Sequence, residues 1–391
     1  MKLSFIANVR MPTEKAHGVA VAKMCAAFAD AGSEVELLVP MRKGILDKNP
    51  FEYYGVRGNF KIKYLPCVDF LSSRWIPKKI AFLIESRSFG FSVKKYLAEN
   101  RPDVVYSRDE FVLKKIFGSK MESKLFWELH AIPKNWNLYA RMAAEVSGFV
   151  VLTSAMKKML LARGIADEKI LVSPDAVDLK SFEISKSKDE LRQELRLPAG
   201  VKLVTYVGQL EALGKERGIS GLISAFKIVE SAYPNAALCL VGGPKERILK
   251  YQTDAAKIGL TKVIFIDYIE PKAVPAYELA SDVLVIPFPR TERYAHFVSP
   301  LKMFEYMAAG VPIVTTDLPA IRDVLDEKTA VIVRPDDPAD MARGILKLLR
   351  DEEAAVFLAG NAKESVKNYS WEERVKKILN FINLASSAPF C

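Results

Sequence analysis

The stretch that decides the fold of this chain is Ser299-Pro300-Leu301-Lys302-Met303-Phe304-Glu305-Tyr306-Met307-Ala308-Ala309-Gly310. It predicts a short apolar helix, because Pro300 is tolerated in a first helical turn and Gly310 is typical of a helix end. Residues 311–316 follow as a buried strand. An apolar helix followed by an apolar strand is a unit from which parallel α/β sheets are built.

The start of this helix also suits an anion. The backbone N–H groups around Ser299 to Lys302 have no partners inside the helix, and only Pro300 lacks an N–H. They therefore predict a site for a group such as a diphosphate. Glu305 lies about one turn further on, where it suits hydroxyl groups such as the vicinal pair of a ribose. The alternative is an ordinary buried helix with Glu305 at its polar edge.

Length and composition predict two globular domains. The chain has 391 residues, half of them hydrophobic and 27% charged, which is too long for one ordinary core. No apolar run approaches the roughly 18 residues of a membrane-spanning helix. Residues 1–8 are typical of a first strand rather than a signal peptide. Four scattered cysteines predict reduced thiols in a cytoplasmic protein.

The excess of basic residues favours anionic partners. Lys plus Arg is 57 and Asp plus Glu is 47, so the net charge is +10. This charge suits nucleotide diphosphates, nucleic acid or an anionic membrane. The sequence has no basic and aromatic run of the kind that forms a nucleic-acid-binding platform, no helix-turn-helix pattern and no zinc pattern, so we expect no nucleic acid. With three histidines, we expect no His-rich metal site.

Strands and helices alternate along both halves of the chain. A strand over residues 2–8, an Ala-rich helix over 19–31 and a strand over 34–39 form a βαβ opening. Further strands are predicted over 103–106, 124–127, 148–152 and 169–172, and a second series over 202–207, 236–241, 262–266, 282–286, 312–316 and 331–333. The predicted fold class is therefore α/β, with two doubly wound Rossmann-like domains facing across a cleft.

Residues 183–200 interrupt this rhythm with a polar stretch and a charged helix. We expect an N-terminal domain over 1–183, a linker over 184–200 and a C-terminal domain over 201–370. Residues 74–95 mix aromatic, aliphatic and basic side chains. Two interpretations of that segment are open: a helix that covers the sheet with its lysines in solvent, or a peripheral contact with an anionic membrane.

Strand ends supply further candidate residues. Val207-Gly208-Gln209-Leu210 ends one strand, and Lys215 and Arg217 follow it. Cations beside a glycine turn can bind a diphosphate, although a solvated loop is the alternative. Gly242 ends the next strand and lets a ligand approach the backbone. His130 ends a first-domain strand, where it can donate to a sugar hydroxyl or a developing charge, unless it is satisfied within its own loop.

In order and spacing, these motifs resemble those of family 4 (group 1) glycosyltransferases, which are retaining nucleotide-sugar transferases of the GT-B fold. The second-domain motifs are Val207-Gly208-Gln209-Leu210, Arg217-Gly218-Ile219, Leu240-Val241-Gly242-Gly243, the run 280–287 and the run 299–310. The loop containing Gly18, Glu128-Leu129-His130, residues 174–178 and Asn368-Tyr369-Ser370-Trp371-Glu372 are also similar, so the resemblance covers nearly the whole chain.

The resemblance implies a donor bound mainly by the second domain and an acceptor bound by the first. Glu305 would accept from the ribose, Arg217 would neutralise the diphosphate, His130 would touch the donor sugar and Gly18 would let its loop approach the reacting centre. A final helix over 371–391 would pack back on the first domain, and no metal or other cofactor is expected. The catalytic candidates are His130, Arg217 and Glu305; the binding candidates are Gly18, Gly208, Gln209, Lys215, Arg217, Gly242, Phe297, Ser299, Pro300, Leu301, Lys302 and Glu305.

Two positions depart from the family pattern. Phe297 stands where the family usually has a second Glu, eight positions before the ribose Glu. It either faces the donor sugar, where an apolar ring suits a sugar with fewer hydroxyls, or is a core residue without a ligand contact. Gln209 stands where the family usually has Arg or Lys, which leaves fewer cations for the diphosphate unless Lys215 or Lys302 substitutes.

The leading hypothesis is a retaining transferase that moves a sugar from a nucleoside-diphosphate sugar to a glycan or lipid-linked acceptor. Such a reaction belongs to cell-envelope polysaccharide or glycoconjugate synthesis. A sugar-nucleotide epimerase of the same fold is one alternative, and a non-catalytic nucleotide-sugar-binding subunit is another, suggested by Phe297 and Gln209. We expect a cytoplasmic protein, with any membrane contact through residues 74–95 at the inner face of the plasma membrane.

Overall fold

The computed structural model describes residues 1–44, 46–118, 122–212, 214–243 and 245–387. They divide into two compact units. The first unit contains Met1–Pro174 and the described residues from Trp371 onward, and the second contains Asp175–Ser370. Each unit is built around one parallel β-sheet with helices on its faces, so the predicted α/β class is confirmed.

The sheet of the first unit has the strand order β3-β2-β1-β4-β5-β6-β7, and its paired strands are parallel. The order reverses between β1 and β4, and open parallel sheets bind ligands beside such a reversal, at the carboxyl ends of the strands. The strands are β1 Lys2–Ile6, β2 Glu34–Pro40, β3 Lys61–Leu65, β4 Val104–Ser107, β5 Lys124–Leu129, β6 Gly148–Val151 and β7 Ile170–Val172.

Within the described residues, six α-helices connect these strands. Asp109 caps one of them by accepting from the Val112 backbone N–H at 2.7 Å, and Thr153 caps another in the same way. Such caps satisfy N–H groups that a helix start leaves unpaired. The helices are α1 Ala16–Asp30, α2 Pro50–Tyr54, α3 Lys78–Asn100, α4 Glu110–Ile116, α5 Ala140–Glu145 and α6 Ser154–Leu161.

The sheet of the second unit has the order β12-β11-β8-β13-β14-β15, which repeats the pattern of the first sheet and reverses between β8 and β13. A two-stranded antiparallel ribbon follows β8. The strands are β8 Lys202–Val207, β9 Glu211–Ala212, β10 Lys215–Glu216, β11 Ala236–Val241, β12 Val263–Ile266, β13 Val283–Ile286, β14 Ile313–Thr316 and β15 Val331–Val333.

Helices of the second unit bury apolar side chains on both faces of its sheet. They are α7 Lys188–Glu194, α8 Ile219–Ala232, α9 Lys245–Lys257, α10 Val274–Leu279, α11 Glu292–His296, α12 Leu301–Ala309, α13 Pro319–Arg322, α14 Pro338–Arg350 and α15 Glu352–Ser365. α7 lies in the predicted linker, yet it belongs to the second unit. Arg192 holds it there by donating to the Ala280 carbonyl at 2.9 Å and to Asp282 at 2.5 Å.

The last helix, α16 Trp371–Ser387, belongs to the first unit. Phe381 packs against Phe126 with ring centres 5.8 Å apart. A Cβ at Gly148 would lie 2.7 Å from the Phe381 ring, so this glycine on β6 leaves room for the helix. In the described part of the chain, no helix is both long and apolar enough to cross a bilayer.

Candidate functional site

α12 is fixed against the central strand β8 by a tyrosine. The buried Tyr306 hydroxyl accepts a hydrogen bond from the Val207 backbone N–H at 2.8 Å. The helix ends at Gly310, whose φ of 65° is left-handed, as the sequence predicts. Lys302, in the first turn, reaches the end of β8, because its Nζ would lie 2.8 Å from a Cβ at Gly208.

The start of α12 differs slightly from the prediction. Pro300 is the residue before the first helical turn, and Leu301 begins the helix. The Ser299 hydroxyl accepts from the Asp175 backbone N–H at 2.8 Å, so this side chain shapes the turn. The backbone N–H groups of Leu301 and Lys302 have no intrahelical acceptor, as at any helix start. They remain the donors that can meet an anion.

Two glycines let the strand ends approach each other closely. Gly208 and Gly242 have φ values of 130° and 137°, which L side chains rarely adopt. A Cβ at Gly242 would lie 2.0 Å from the Gly208 carbonyl oxygen. The carboxyl ends of β8 and β11 therefore form one compact turn region beside Lys302.

Lys302 is a buried cation in this region. It is 6% exposed, and its Nζ lies 3.4 Å from the centre of the Tyr206 ring, a cation–π contact. Nζ has no hydrogen-bond acceptor among the described residues. Burial, aided by the charge of Arg217, holds the pKa of Lys302 well below its ordinary value. Because unmet buried charge is costly, an anionic ligand beside Nζ would be favoured.

Arg217 is the second cation at this edge. It lies between β10 and α8, and its backbone N–H donates to the Leu210 carbonyl at 3.2 Å. Its Nε is buried and has no acceptor within the described ranges. The charge of Arg217 lowers the pKa of Lys302 and opposes the rise in the pKa of Tyr206 that burial causes. The two predicted cations therefore lie close together around Tyr206.

Glu305 lies three residues after Lys302 on α12 and is partly exposed. Burial raises the pKa of the Glu305 carboxyl to about 7, and the charge of Lys302 opposes this rise. The structure thus brings Lys302, Arg217 and Glu305 together at one end of the second sheet. It gives this edge both positive charge and a partly open acceptor, the two features that a nucleoside diphosphate requires.

Glu278, on α10, is an additional member of this cluster. It is 0% exposed, and neither carboxyl oxygen has a hydrogen-bond partner in the described parts of the chain. Burial and the charge of Glu305 raise the pKa of Glu278 well above its ordinary value, while Lys302 opposes the rise. The sequence signal was a single Glu in a short helix, which is equally typical of a surface position.

Three other predicted residues do not join this cluster through their side chains. Gln209 is exposed, and its backbone carbonyl accepts from the Tyr206 hydroxyl at 2.7 Å. Lys215 is exposed on β10. Phe297 follows α11, is partly exposed and does not pack on either core of the second unit. This placement favours the donor-sugar interpretation of Phe297 over a core role, and the contact with a donor sugar stays a prediction.

A second group of polar residues surrounds Glu128 in the first unit. Glu128 is fully buried, and its Oε1 lies 2.9 Å from His130 Nε2, 3.0 Å from Arg108 Nη2 and 3.1 Å from Arg374 Nη2. The Tyr106 hydroxyl donates to Oε2 at 2.5 Å. Burial alone would raise the pKa of Glu128, but the two guanidinium groups hold it well below its ordinary value. Glu128 is thus an ionised centre that orients His130.

The His130 ring contacts Glu128, yet 38% of the His130 side chain stays exposed. The ring is therefore oriented but still accessible to a ligand. Gly18 lies in the first turn of α1, where a Cβ would meet the Tyr54 hydroxyl at 2.3 Å. That hydroxyl bonds both the N–H and the carbonyl of Thr13. The structure therefore gives Gly18 a packing role, and its approach to a reacting centre stays a prediction.

Comparison with known proteins identifies the family. The model of the group 1 glycosyl transferases matches residues 187–365, and the model of glycosyltransferase family 4 matches residues 17–181. The chain belongs to the group 1, family 4 glycosyltransferases.

Curated relatives of this glycosyltransferase match part of the chain. An uncharacterized glycosyltransferase of Methanocaldococcus jannaschii is 27% identical over 227 residues, which is 56% of this chain and 55% of the relative. A D-inositol 3-phosphate glycosyltransferase of Corynebacterium urealyticum is 24% identical over 231 residues, which is 56% of this chain and 52% of that protein. The chain spans about half the length of the curated relatives it matches.

Solved structures agree with the fold along the whole chain. A sucrose-phosphate synthase of Thermosynechococcus elongatus has a TM-score of 0.78 at 18% identity and covers 99% of this chain and 100% of its own. Anabaena HepE, solved in complex with UDP and glucose, has a TM-score of 0.74 at 16% identity, with coverage of 98% and 100%. These likenesses establish the GT-B fold of this glycosyltransferase.

A metal centre was not expected in this glycosyltransferase. Within the described ranges, no group of three or more His, Cys, Asp or Glu side chains is arranged to hold a metal ion. Independence of a metal stays a prediction.

Proposed function

We propose that this glycosyltransferase moves a sugar, with retention of configuration, from a nucleoside-diphosphate sugar to a glycan or lipid-linked acceptor. Its place would be cell-envelope polysaccharide or glycoconjugate synthesis in the cytoplasm. The observation that carries the donor assignment is the pair of cationic side chains Lys302 and Arg217, whose buried nitrogens Nζ and Nε lack acceptors among the described residues. UDP and UDP-glucose are bound by the structural neighbour Anabaena HepE, which supports the same class of donor here.

In this proposal the diphosphate lies against Lys302, Arg217 and the first N–H groups of α12. When the bond from the sugar to the diphosphate breaks, the leaving group gains negative charge, which these donors stabilise without reorganising. Glu305 accepts hydrogen bonds from the ribose, and His130 donates to the sugar. Retention follows the family resemblance, and NMR of the product formed from a donor of known anomeric configuration would test it.

The cations of the chain supply the charge that a metal provides in other transferases, so we propose that donor binding needs no divalent ion. Activity that is lost in a strong chelator and restored only by manganese or magnesium would contradict this. Turnover of the nucleotide sugar without any acceptor would instead indicate an epimerase. Nucleotide binding without turnover across a broad acceptor panel would indicate a binding subunit.

The test of the donor site is Glu305→Ala. Calorimetric titration with UDP, ADP and GDP should show affinity for the preferred nucleoside diphosphate falling by one to two decades, because a charged hydrogen-bond acceptor is worth about 1.5–3 kcal/mol. Glu353→Ala is the matched control, since Glu353 is exposed on α15 of the same unit. Unchanged nucleotide affinity in a folded Glu305→Ala variant would remove the ribose assignment.

We further propose that α3 and the turn before it contact an anionic membrane surface. Trp75 is 96% exposed, and α3 exposes Ile80, Leu83 and Phe91 by 51%, 45% and 54%. Their spacing puts them along one helical face. Basic residues surround this face, namely Arg74, Lys78, Lys79, Arg87, Lys94 and Lys95. Apolar side chains among cations fit a bilayer of anionic lipids at the inner face of the plasma membrane.

A further inference from the structure

Arg108 is a buried cation that the donor site does not use. It directly follows β4, which lies where the strand order of the first sheet reverses. Open parallel sheets bind ligands at this position. The Arg108 side chain is 11% exposed, so its guanidinium is largely removed from bulk water.

Most donors of this guanidinium are unused. Nη2 lies 3.0 Å from Glu128 Oε1, but Nε and Nη1 are buried and have no acceptor among the described residues. The guanidinium carbon lies 5.8 Å from the centre of the Phe5 ring, a contact that offers no hydrogen-bond acceptor. Unmet charged donors away from water are costly. An oxyanion that accepts from Nε and Nη1 would remove this cost.

Glu128 has partners other than Arg108, although Arg108 contributes most to keeping the pKa of its carboxyl low. Arg374, the Tyr106 hydroxyl and His130 also contact its two oxygens. Arg108 and Arg374 together bring two positive charges against the one negative charge of Glu128. The cluster therefore carries a surplus positive charge at the carboxyl edge of the first sheet.

His17, near the start of α1, lies close enough to this cluster for the charges of Arg108 and His130 to lower its pKa. The residue is exposed, although neighbouring protein atoms partly desolvate its ring. This desolvation, together with the charges of Lys15, Arg108 and His130, lowers the pKa of His17 to about 4. At neutral pH the His17 ring is thus an uncharged donor or acceptor beside a cation.

We propose that Arg108, flanked by His17 and His130, binds an oxyanion of the sugar acceptor, either a phosphate or a carboxylate. Guanidinium presents paired N–H groups that match two oxygens of either anion. Assignment of the anion to the acceptor rests on the proposed transferase function, whereas the anion site stands on the geometry of the first unit alone. The acceptor of this enzyme is therefore an anionic molecule.

Calorimetric titration of the full chain tests this site. The probes are inorganic phosphate, glucose 6-phosphate and glucuronate, with neutral glucose as the reference, each with and without saturating UDP. Wild type should bind the anions in preference to glucose. Arg108→Gln should weaken anion binding about ten- to hundredfold, with UDP affinity unchanged. Arg141→Gln should leave both unchanged, because the Arg141 side chain is 89% exposed elsewhere in the first unit.

Arg108→Gln should fold, because Glu128 keeps Arg374 as its partner. Arg108→Lys is the second variant: it retains the charge, loses the paired donors and should weaken anion binding by a smaller factor. Equal anion affinity in wild type and Arg108→Gln, or no anion binding by wild type, would overturn the proposal. So would a loss of UDP affinity in Arg108→Gln, which would assign the site to the donor. Anion binding through Arg108 in a protein that binds no nucleotide would sustain the site and reject the transferase assignment.

Discussion

Glu278, Lys302 and Glu305 are ionisable side chains that lie together at one end of the second sheet. A carboxyl group and an amine, Glu278 and Lys302, are both buried without hydrogen-bond partners among the described residues. Well-packed apolar replacements for such groups are often neutral or stabilising. A cluster that is costly to the fold and lies at the carboxyl end of a parallel sheet is the expected signature of a binding site.

Glu278→Gln should make stability less dependent on pH. The pKa of Glu305 is raised by burial from 4.5 to about 7, and that of Glu278 is raised well above 4.5. Above about pH 4.5, these two carboxyl groups lose their protons in the unfolded chain but keep them in the folded chain. The free energy of unfolding therefore falls as pH rises. We expect the melting temperature of wild type to fall between about pH 5 and about pH 7, and that of Glu278→Gln to fall less.

Lys302 has a lowered pKa and acts in the opposite sense. Its charge also opposes the rise in the pKa of Glu278, so the difference in slope reports Glu278 together with its interaction with Lys302. Glu353→Gln, at an exposed position of the same unit, should follow wild type. Parallel melting curves for wild type and Glu278→Gln across this pH range would contradict the prediction.

Phe297→Ala should change the choice of donor sugar and leave the fold intact. Phe297 is partly exposed and is not a member of the described apolar clusters of the second unit, so its truncation should cost less stability than the truncation of a core ring. Phe226→Ala is the contrasting control: Phe226 is fully buried, and its loss should cost about 3–5 kcal/mol. Melting temperatures and turnover with a panel of UDP-sugars check both. A large loss of stability in Phe297→Ala, with the donor profile unchanged, would remove the sugar contact.

At the scale of elements, periodicity predicts the helices and buried strands but misses elements whose burial is partial. α12 ends at Gly310 as predicted, and the six predicted strands of the first sheet lie within two residues of their predicted ends. β3 does not stand out, because Lys61 and Lys63 alternate with partly covered residues on an edge strand. Arg108 and Glu278 were not predicted as site residues, since their burial comes from elements distant in sequence.

The prediction at this scale concerns membrane contact by α3 and the turn before it. Wild type should sediment with vesicles of anionic lipid and be released by high salt, because surface charge attraction is screened. The double variant Trp75→Ala/Phe91→Ala should sediment less with these vesicles. Phe357→Ala, which removes an exposed ring from α15 of the other unit, should behave as wild type. Equal sedimentation with neutral and anionic vesicles would reject this surface.

At the scale of the whole molecule, the second unit is an insertion in the first. The chain passes from the first unit to the second between Pro174 and Asp175 and returns between Ser370 and Trp371. Arg374 on α16 then donates to the carbonyls of Pro174 and Ser173 at 2.6 and 3.1 Å and pairs with Glu128. One side chain thus joins the final helix to strands synthesised much earlier.

Arg374→Ala should destabilise the first unit selectively. Removing one partner of a buried ion pair typically costs about 3–5 kcal/mol, and Arg108 compensates Glu128 only in part. Calorimetric unfolding with saturating UDP should show a lowered transition for the first unit, while UDP affinity of the second is retained. Lys376→Ala, on the same helix with 69% of its side chain exposed, is the control. A uniform loss of both transitions would contradict the selective effect.

The insertion has a consequence for the order in which the protein is made. A ribosome releases the strands of the first sheet early, but the helix that covers β6 and supplies Arg374 comes last. Until then Glu128 lacks one of its two guanidinium partners, and Phe126 lacks the Phe381 ring. All residues of the second unit are synthesised before the last residues of the first unit, so the second unit is complete before the first. Chaperones that shield exposed apolar surface would therefore meet the N-terminal sheet for longer than its place in the sequence suggests.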